Sequence, residues 1–332
     1  MKRYGNLYQK ISNMDNLCLA YEKARKGKVK AKSVKSFEKN LNENMMQIQS
    51  ELTNESYKTS EYSVFMIHDP KERQIYRLPF KDRVVHHAIM NVLEPIWTSI
   101  FISHTYSCIK NKGVHGALKH IKRDLKNENN TVYCLKIDVK KFYPSIDHDI
   151  LKNIIRKKIK DVQLLRLLDG IIDSAPGLPI GNYLSQYMAN LYLSYFDHWM
   201  KESKGISYYY RYADDIVILS DNKPHLHDLL NKIRMYLKDN LNLDLKGNEQ
   251  IFPVESRGID FVGYVFYHTH VYLRKSIKKN FCRKVALINK KEMPYKDYVQ
   301  SICSYLGWAK HCNSRHLIKK IIQNETILGL WD

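Results

Sequence analysis

Two apolar runs with almost nothing between them constrain this chain more than any other feature. Tyr208 to Tyr212 is aromatic apart from Arg211, Ile216 to Leu219 is aliphatic, and only Ala213, Asp214 and Asp215 separate them. Both runs are rich in residues that suit a pleated, half-buried surface, so the stretch predicts a β-hairpin with Ala213 and Asp214 at its tip. The same stretch sets two adjacent carboxylates at one end of the hairpin. Asp is a common turn residue, because its side chain bonds nearby backbone. The pair acquires meaning only through a partner elsewhere.

That partner is Asp138. Leu135-Lys136-Ile137-Asp138-Val139 alternates apolar and polar with the period of a strand. If this run pairs with the first half of the hairpin, Asp138 and Asp214 meet at one sheet edge. Facing carboxylates repel, and both stay ionised readily only with cations between them. Hard oxygen ligands with no His or Cys nearby select Mg²⁺ or Mn²⁺. Two such ions a few Å apart clamp the attacking and leaving oxygens of an in-line phosphoryl displacement. The expected chemistry is nucleotidyl transfer, with Asp138 and Asp214 as metal ligands and Asp215 supporting them.

Four segments in order, LKIDVKKFYPSIDHDIL (135–151), GLPIGNYLSQYMANLYL (177–193), YYRYADDIVIL (209–219) and RGIDFVGY (257–264), resemble a bacterial reverse transcriptase. The resemblance runs from about residue 3 to about residue 320. The spelling G-x-P-I-G-N-x-x-S-Q is similar to the enzymes of diversity-generating retroelements, most of which carry Gln where this chain has Ile180. Defence-associated, abortive-infection type reverse transcriptases share the layout. The resemblance implies an α/β right-hand polymerase with fingers, a palm built on an antiparallel sheet, and a helical thumb. The implied division is an N-terminal helical extension over 1–60, fingers over 61–131, palm over 132–267 with a finger-side insert around 150–182, and thumb over 268–332.

It also implies site residues. Arg77, on a two-stranded pattern over 61–81 with Asp69-Pro70 as its turn, matches a fingers arginine that contacts the triphosphate, with Lys71 or Arg73 assisting. Lys141 and Phe142 offer backbone N–H groups to the same phosphates. Tyr143, five residues beyond Asp138, matches the bulky gate under the sugar that selects deoxynucleotides; the same position also suits a core aromatic. Ile180, Gly181 and Gln186 border the nucleotide and template base. Phe261, Val262, Gly263 and Tyr264 match the hairpin that seats the primer end. One departure stands in the second fingers motif, where Ile109 follows Cys108 and relatives often carry Arg.

The partners follow from charge as well as from resemblance. A net charge of +20, spread along the chain instead of collected in a tail, favours a polyanion. The expected partners are a structured RNA template, the RNA–DNA duplex made on it, dNTPs, and an accessory protein or further copies of a chain. Six cysteines without a CxxC pair read as reduced thiols in a cytoplasmic protein. Cys303, His311, Cys312 and His316 fit no common zinc spacing and read as helix-packing residues. No run approaches the roughly 20 apolar residues needed to span a bilayer, so no membrane partner is expected.

The remaining expectations are coarse. Helices are expected over 81–100 with Val84, Ala88, Val92 and Ile96 inward, from Tyr183 to Met200, and over 225–241; a strand pair is expected over 243–254. Asp147 or Asp149 is expected to cap a helix over 150–160. His86 and His87 are read as packing or RNA-facing. Beyond Arg274 two or more basic amphipathic helices are expected. The function expected is RNA-directed DNA synthesis in a diversity-generating retroelement, against an antiphage enzyme making template-independent or protein-primed product.

Overall fold

Nine strands form among the described residues: β1 (Ser63–Ile67), β2 (Arg73–Arg77), β3 (Tyr133–Asp138), β4 (Tyr208–Tyr212), β5 (Asp215–Ser220), β6 (Gln250–Pro253), β7 (Ile259–Phe261), β8 (Tyr264–Phe266) and β9 (Val271–Leu273). The computed structural model describes residues 2–68, 72–290 and 294–322. All strand pairings between these elements are antiparallel, and helices make up most of the remainder, a mixed α/β fold. The chain divides into two compact units: Met1–Cys108, Val139–Gly205 and Lys232–Lys246 in the first, and Ile109–Asp138, Ile206–Asn231 and Gly247–Asp332 in the second. The division falls immediately after Asp138.

The second unit is built on a sheet of order β4–β5–β3–β6. Strand β5 has neighbours on both sides, and Ile216, Val217, Ile218 and Leu219 are all buried. That is why this run is aliphatic throughout instead of alternating. Strand β4 lies at the sheet edge, where the Tyr210 hydroxyl donates to Asp124 Oδ2 at 2.6 Å. A smaller sheet, β7–β8–β9, follows, and then the helices Lys275–Asn289 and Tyr295–Ala309. The first exposes Lys275, Lys278, Lys279 and Lys284, the second exposes one lysine beside one aspartate, Lys296 and Asp297, and together they bury Phe281, Val285, Tyr298 and Ile302.

The first unit is mainly helical. Its helix Phe80–Thr98 buries Val84, Ala88 and Ile96, as expected, and Phe80 besides, whereas Val92 is only half-buried. Asp82 on that helix is fully buried and accepts from the Tyr57 hydroxyl at 2.7 Å and the Ser60 amide at 3.0 Å. The bonds hold the extended segment that leads into β1. The β1–β2 pair forms where the sequence places two strands; its expected turn residues Asp69 and Pro70, and Lys71, lie outside the described residues.

Three expectations need correction. Asp138's strand pairs with the second half of the hairpin, β5, and not with the first half, because β4 occupies the edge and β5 the interior. The helix expected from Tyr183 to Met200 stops at Tyr192, resumes over Ser194–His198 and ends in a π-turn, Trp199–Ser203. Of the strand pair expected over 243–254 only β6 forms, with Leu245 making an isolated bridge to Val139. The cap is settled for Asp147, whose Oδ1 accepts from the Ile150 amide at 3.1 Å.

Candidate active site

Register builds the site. Asp138 lies opposite Asp215 across β3 and β5, and Lys136 opposite Val217. Side chains alternate along a strand, so Lys136, Asp138, Val217 and Asp215 share one face. Asp214 occupies the two-residue turn with Ala213, immediately before Asp215. Ala213 has φ of +55°, a left-handed conformation for which glycine is usual at the first turn position. The buried Arg211 guanidinium donates from Nη1 to the Ala213 carbonyl at 3.0 Å and holds that conformation. Three carboxylates are thereby gathered at one end of the sheet.

The electrostatics there are unfavourable without a cation. Burial, with the charges of Asp138 and Asp214 added, pushes the Asp215 carboxyl up to about 6, against the pull of Lys136 and Arg274. Asp215 Oδ1 is buried and has no hydrogen-bond partner among the described residues. Lys136 Nζ stands 3.6 Å from the other oxygen, Oδ2. A divalent cation among these carboxylates would satisfy the orphaned oxygen and cancel the repulsion, so the donors present fit Mg²⁺ or Mn²⁺. Among the described residues no group of three or more His, Cys, Asp or Glu side chains is placed to hold a metal ion by itself, so a Mg²⁺ here would need substrate phosphates to complete its coordination.

The β7–β8 hairpin carries the residues expected at the primer end. Phe261 and Tyr264 are fully buried, and its two-residue turn is Val262-Gly263, with φ of +44° and +87°. Positive φ at both positions marks a turn of the type preferred in hairpins, and it is costly for a β-branched residue. A Cβ on Gly263 would overlap the Trp308 ring, and the Tyr264 hydroxyl donates to the Trp308 carbonyl at 2.9 Å. The turn is further fastened by Arg274, whose amide donates to the Gly263 carbonyl at 2.9 Å and whose Nε donates to Asp260 Oδ1 at 2.5 Å. Strain of this kind, held in place from several sides, is characteristic of functional turns.

In the first unit the remaining expected residues fall into two groups. Lys141 has φ of +44° and is exposed; Phe142 is buried, and Tyr143 is half-buried with its ring 5.6 Å from that of Phe142. The Tyr143 carbonyl accepts from the Leu178 amide at 2.8 Å, and a Cβ on Gly177 would come within 2.5 Å of that same oxygen. Only glycine allows the 177–182 loop to lie so close to the Tyr143 backbone. Farther along this loop, the Ile180 carbonyl accepts from the Tyr76 amide at 2.9 Å, next to Arg77, which is exposed. Gln186 lies half-buried one turn into the helix Tyr183–Tyr192. His86 is buried, and His87 stacks on Tyr183 with ring centroids 4.3 Å apart.

Four residues of the site escaped the sequence reading: Lys136, Arg211, Asp260 and Arg274. Lys136 was visible in the alternation that placed it on the face of Asp138. Arg211, a lone cation inside an aromatic strand, was a further signal. The roles of Asp260 and Arg274 depend on contacts between distant segments that no local pattern records.

A family described as reverse transcriptase (RNA-dependent DNA polymerase) matches residues 67–266. The protein YkfC of Escherichia coli is 24% identical over 253 residues, which cover 63% of this chain and 65% of YkfC. The retron Ec73 reverse transcriptase of Escherichia coli is 26% identical over 258 residues, 72% of this chain and 78% of that protein. The group II intron-encoded protein LtrA of Lactococcus lactis is 27% identical over 136 residues, so the match spans only 22% of its length. Among solved structures, apo telomerase from Candida tropicalis superimposes with a TM-score of 0.55 at 14% identity, over 75% of this chain and 53% of that one. The chain belongs to the reverse transcriptase family.

Proposed function

We propose that this reverse transcriptase family member is an RNA-directed DNA polymerase that extends a primer with dNTPs on a dedicated RNA template. The observation that carries the reading is the register of Asp138 against Asp215 beside Asp214, with a buried carboxylate oxygen left without a partner among the described residues. Bound divalent cations, Mg²⁺ or Mn²⁺, supply charge neutralisation of the phosphates and activation of the primer hydroxyl. Asp138 and Asp214 hold them, and Asp215 sets the local charge. Arg77 and the backbone amides of Lys141 and Phe142 bind the triphosphate, and Tyr143 excludes the 2′-hydroxyl. Phe261, Val262, Gly263 and Tyr264 seat the primer terminus. Catalysis of this type is mainly positioning and electrostatic preorganisation. Its test is primer extension by the purified chain on a DNA-primed RNA template with Mg²⁺ and dNTPs. Absence of template-dependent product would overturn the reading.

At finer grain we place the enzyme in a diversity-generating retroelement, acting with an accessory protein or further copies. Support comes from the G-x-P-I-G-N-x-x-S-Q spelling and from the side chain at 180. A Gln there can hydrogen-bond near the incoming nucleotide, whereas Ile180 supplies bulk without a polar contact, so checking of the new base pair is looser. The enzyme is expected to miscopy template adenine far more often than other bases, and Ile180→Gln to reduce the bias. Sequencing cDNA made by both proteins on one mixed template decides the matter. Equal error rates at the four bases would leave the defence-associated reading in its place.

A further inference from the structure

We propose that Lys136 is a positioning residue of the polymerase reaction, tying the primer-seating hairpin to the carboxylate cluster. The proposal rests on the polymerase reading above. Lys136 precedes Asp138 by two residues on β3 and shares its face. Its ammonium donates to the main-chain carbonyl of Asp260 in β7 and stands 3.6 Å from Asp215 Oδ2. The second contact is the diagonal neighbour expected across an antiparallel pair, since Lys136 faces Val217 and Asp215 is two residues away.

The two contacts differ in kind. The bond to a backbone carbonyl fixes where the ammonium sits, and the longer approach to Asp215 leaves that carboxylate attracted without being fully bonded to the lysine. Lys136 is thus anchored on the hairpin and presents its charge to the site. On the far side of Asp260 the network continues. Asp260 Oδ1 accepts from Arg274 Nε at 2.5 Å, and the Arg274 amide donates to the carbonyl of Gly263 in the hairpin turn. An unbroken path runs Asp215, Lys136, Asp260, Arg274, Gly263, and it ends beside Val262 with its φ of +44°. An ordinary surface ion pair is worth about 0–1 kcal/mol and positions nothing. This one joins two separate sheets, β4–β5–β3–β6 and β7–β8–β9, at the ends where the carboxylates and the primer-seating turn lie.

Two consequences follow for the reaction. The lysine attracts Asp215 Oδ2 from the protein side and leaves Oδ1, which has no hydrogen-bond partner among the described residues, beside the cations. The tie also sets the hairpin's distance from the carboxylates, and a small misplacement of a reacting hydroxyl costs rate far more than it costs binding.

The experiment uses the full chain on a DNA-primed RNA template with Mg²⁺. Single-nucleotide incorporation is compared for wild type, Lys136→Met and Lys136→Arg, alongside primer–template affinity, melting temperature and amide hydrogen exchange. For Lys136→Met the maximal incorporation rate should fall by about tenfold or more, with primer–template affinity within about twofold of wild type. Lys136→Arg, which keeps the charge and the donors, should recover most of the rate. Amides of Ile259–Phe266 should exchange faster in Lys136→Met while those of β3 and β5 keep their protection. An unchanged rate in Lys136→Met would overturn the proposal, as would a loss that Lys136→Arg fails to relieve or one matched by general unfolding. A wild-type chain without activity would instead overturn the polymerase reading and this proposal with it.

Discussion

Arg211, fully buried, donates from Nη1 to the carbonyl of Ala213 at 3.0 Å, and so holds the turn that carries Asp214 from beneath. A guanidinium in that place cannot be exchanged for an apolar side chain of similar size without leaving the carbonyl to relax. Arg211→Met should cost roughly 2 kcal/mol of stability, the worth of a lost hydrogen bond to a charged donor. It should also slow incorporation, because Asp214 loses its fixed place. Thermal melting and primer extension on the same preparation check both effects.

Asp138→Asn and Asp214→Asn should each reduce dNTP incorporation by about 10³-fold or more, since removing a metal-ligating charge removes several kcal/mol of transition-state stabilisation. Circular dichroism and RNA affinity should stay close to wild type. Normal extension by either variant in Mg²⁺ would exclude the proposed metal ligands.

Tyr143→Ala should raise ribonucleotide use relative to deoxynucleotide by about tenfold, by opening the space that a 2′-hydroxyl needs. Competition between the two nucleotides on one template measures it. Unaltered sugar selection would return Tyr143 to the role of a packing aromatic against Phe142.

Affinity for an RNA–DNA duplex should fall by about a thousandfold between roughly 50 and 200 mM salt, as for a protein neutralising several phosphates. The net charge of +20 motivates the expectation, and a nearly flat salt titration would show that this charge lies away from the duplex.

Asp215 gives a pH signature. Burial pushes its carboxyl up to about 6 in the fold, against about 4 in an unfolded chain. Between those values the folded state holds the extra proton. The group therefore stabilises the fold at low pH, and that contribution is lost as pH rises through about 6. In chelator, Asp215→Asn should gain in melting temperature relative to wild type from about pH 4 to pH 7. Added Mg²⁺ at pH 7 should narrow the gap. A difference that stays constant with pH would remove the buried charge as its cause.

The hairpin and the Asp138 strand were legible because each is a local pattern: apolar runs, a short break, alternation of period two. The helices expected over 81–100 and 225–241 form over Phe80–Thr98 and Lys223–Leu241, and the cap expected at Asp147 or Asp149 falls on Asp147. Strand order was not legible, because whether β3 lies against β4 or β5 depends on which strand fills the sheet interior, and both runs are apolar enough for either place. The break of the 183–200 helix after Tyr192 was also hidden, since Leu193 and Ser194 are both buried and carry neither Gly nor Pro to mark it. The Lys136–Asp260–Arg274 path joins segments more than a hundred residues apart, and no periodicity could disclose it.

Residues 180 and 181 differ in the substitutions their geometry admits. The loop meets β2 through main-chain atoms, the Ile180 carbonyl accepting from the Tyr76 amide, and every residue type has that carbonyl. The side chain at 180 can therefore be exchanged without undoing the junction. Gly181 has no such latitude: at φ of +118° any Cβ would stand 2.7 Å from the Tyr76 carbonyl oxygen. Substitution at this junction is thus open to the side chain at 180 and closed at 181.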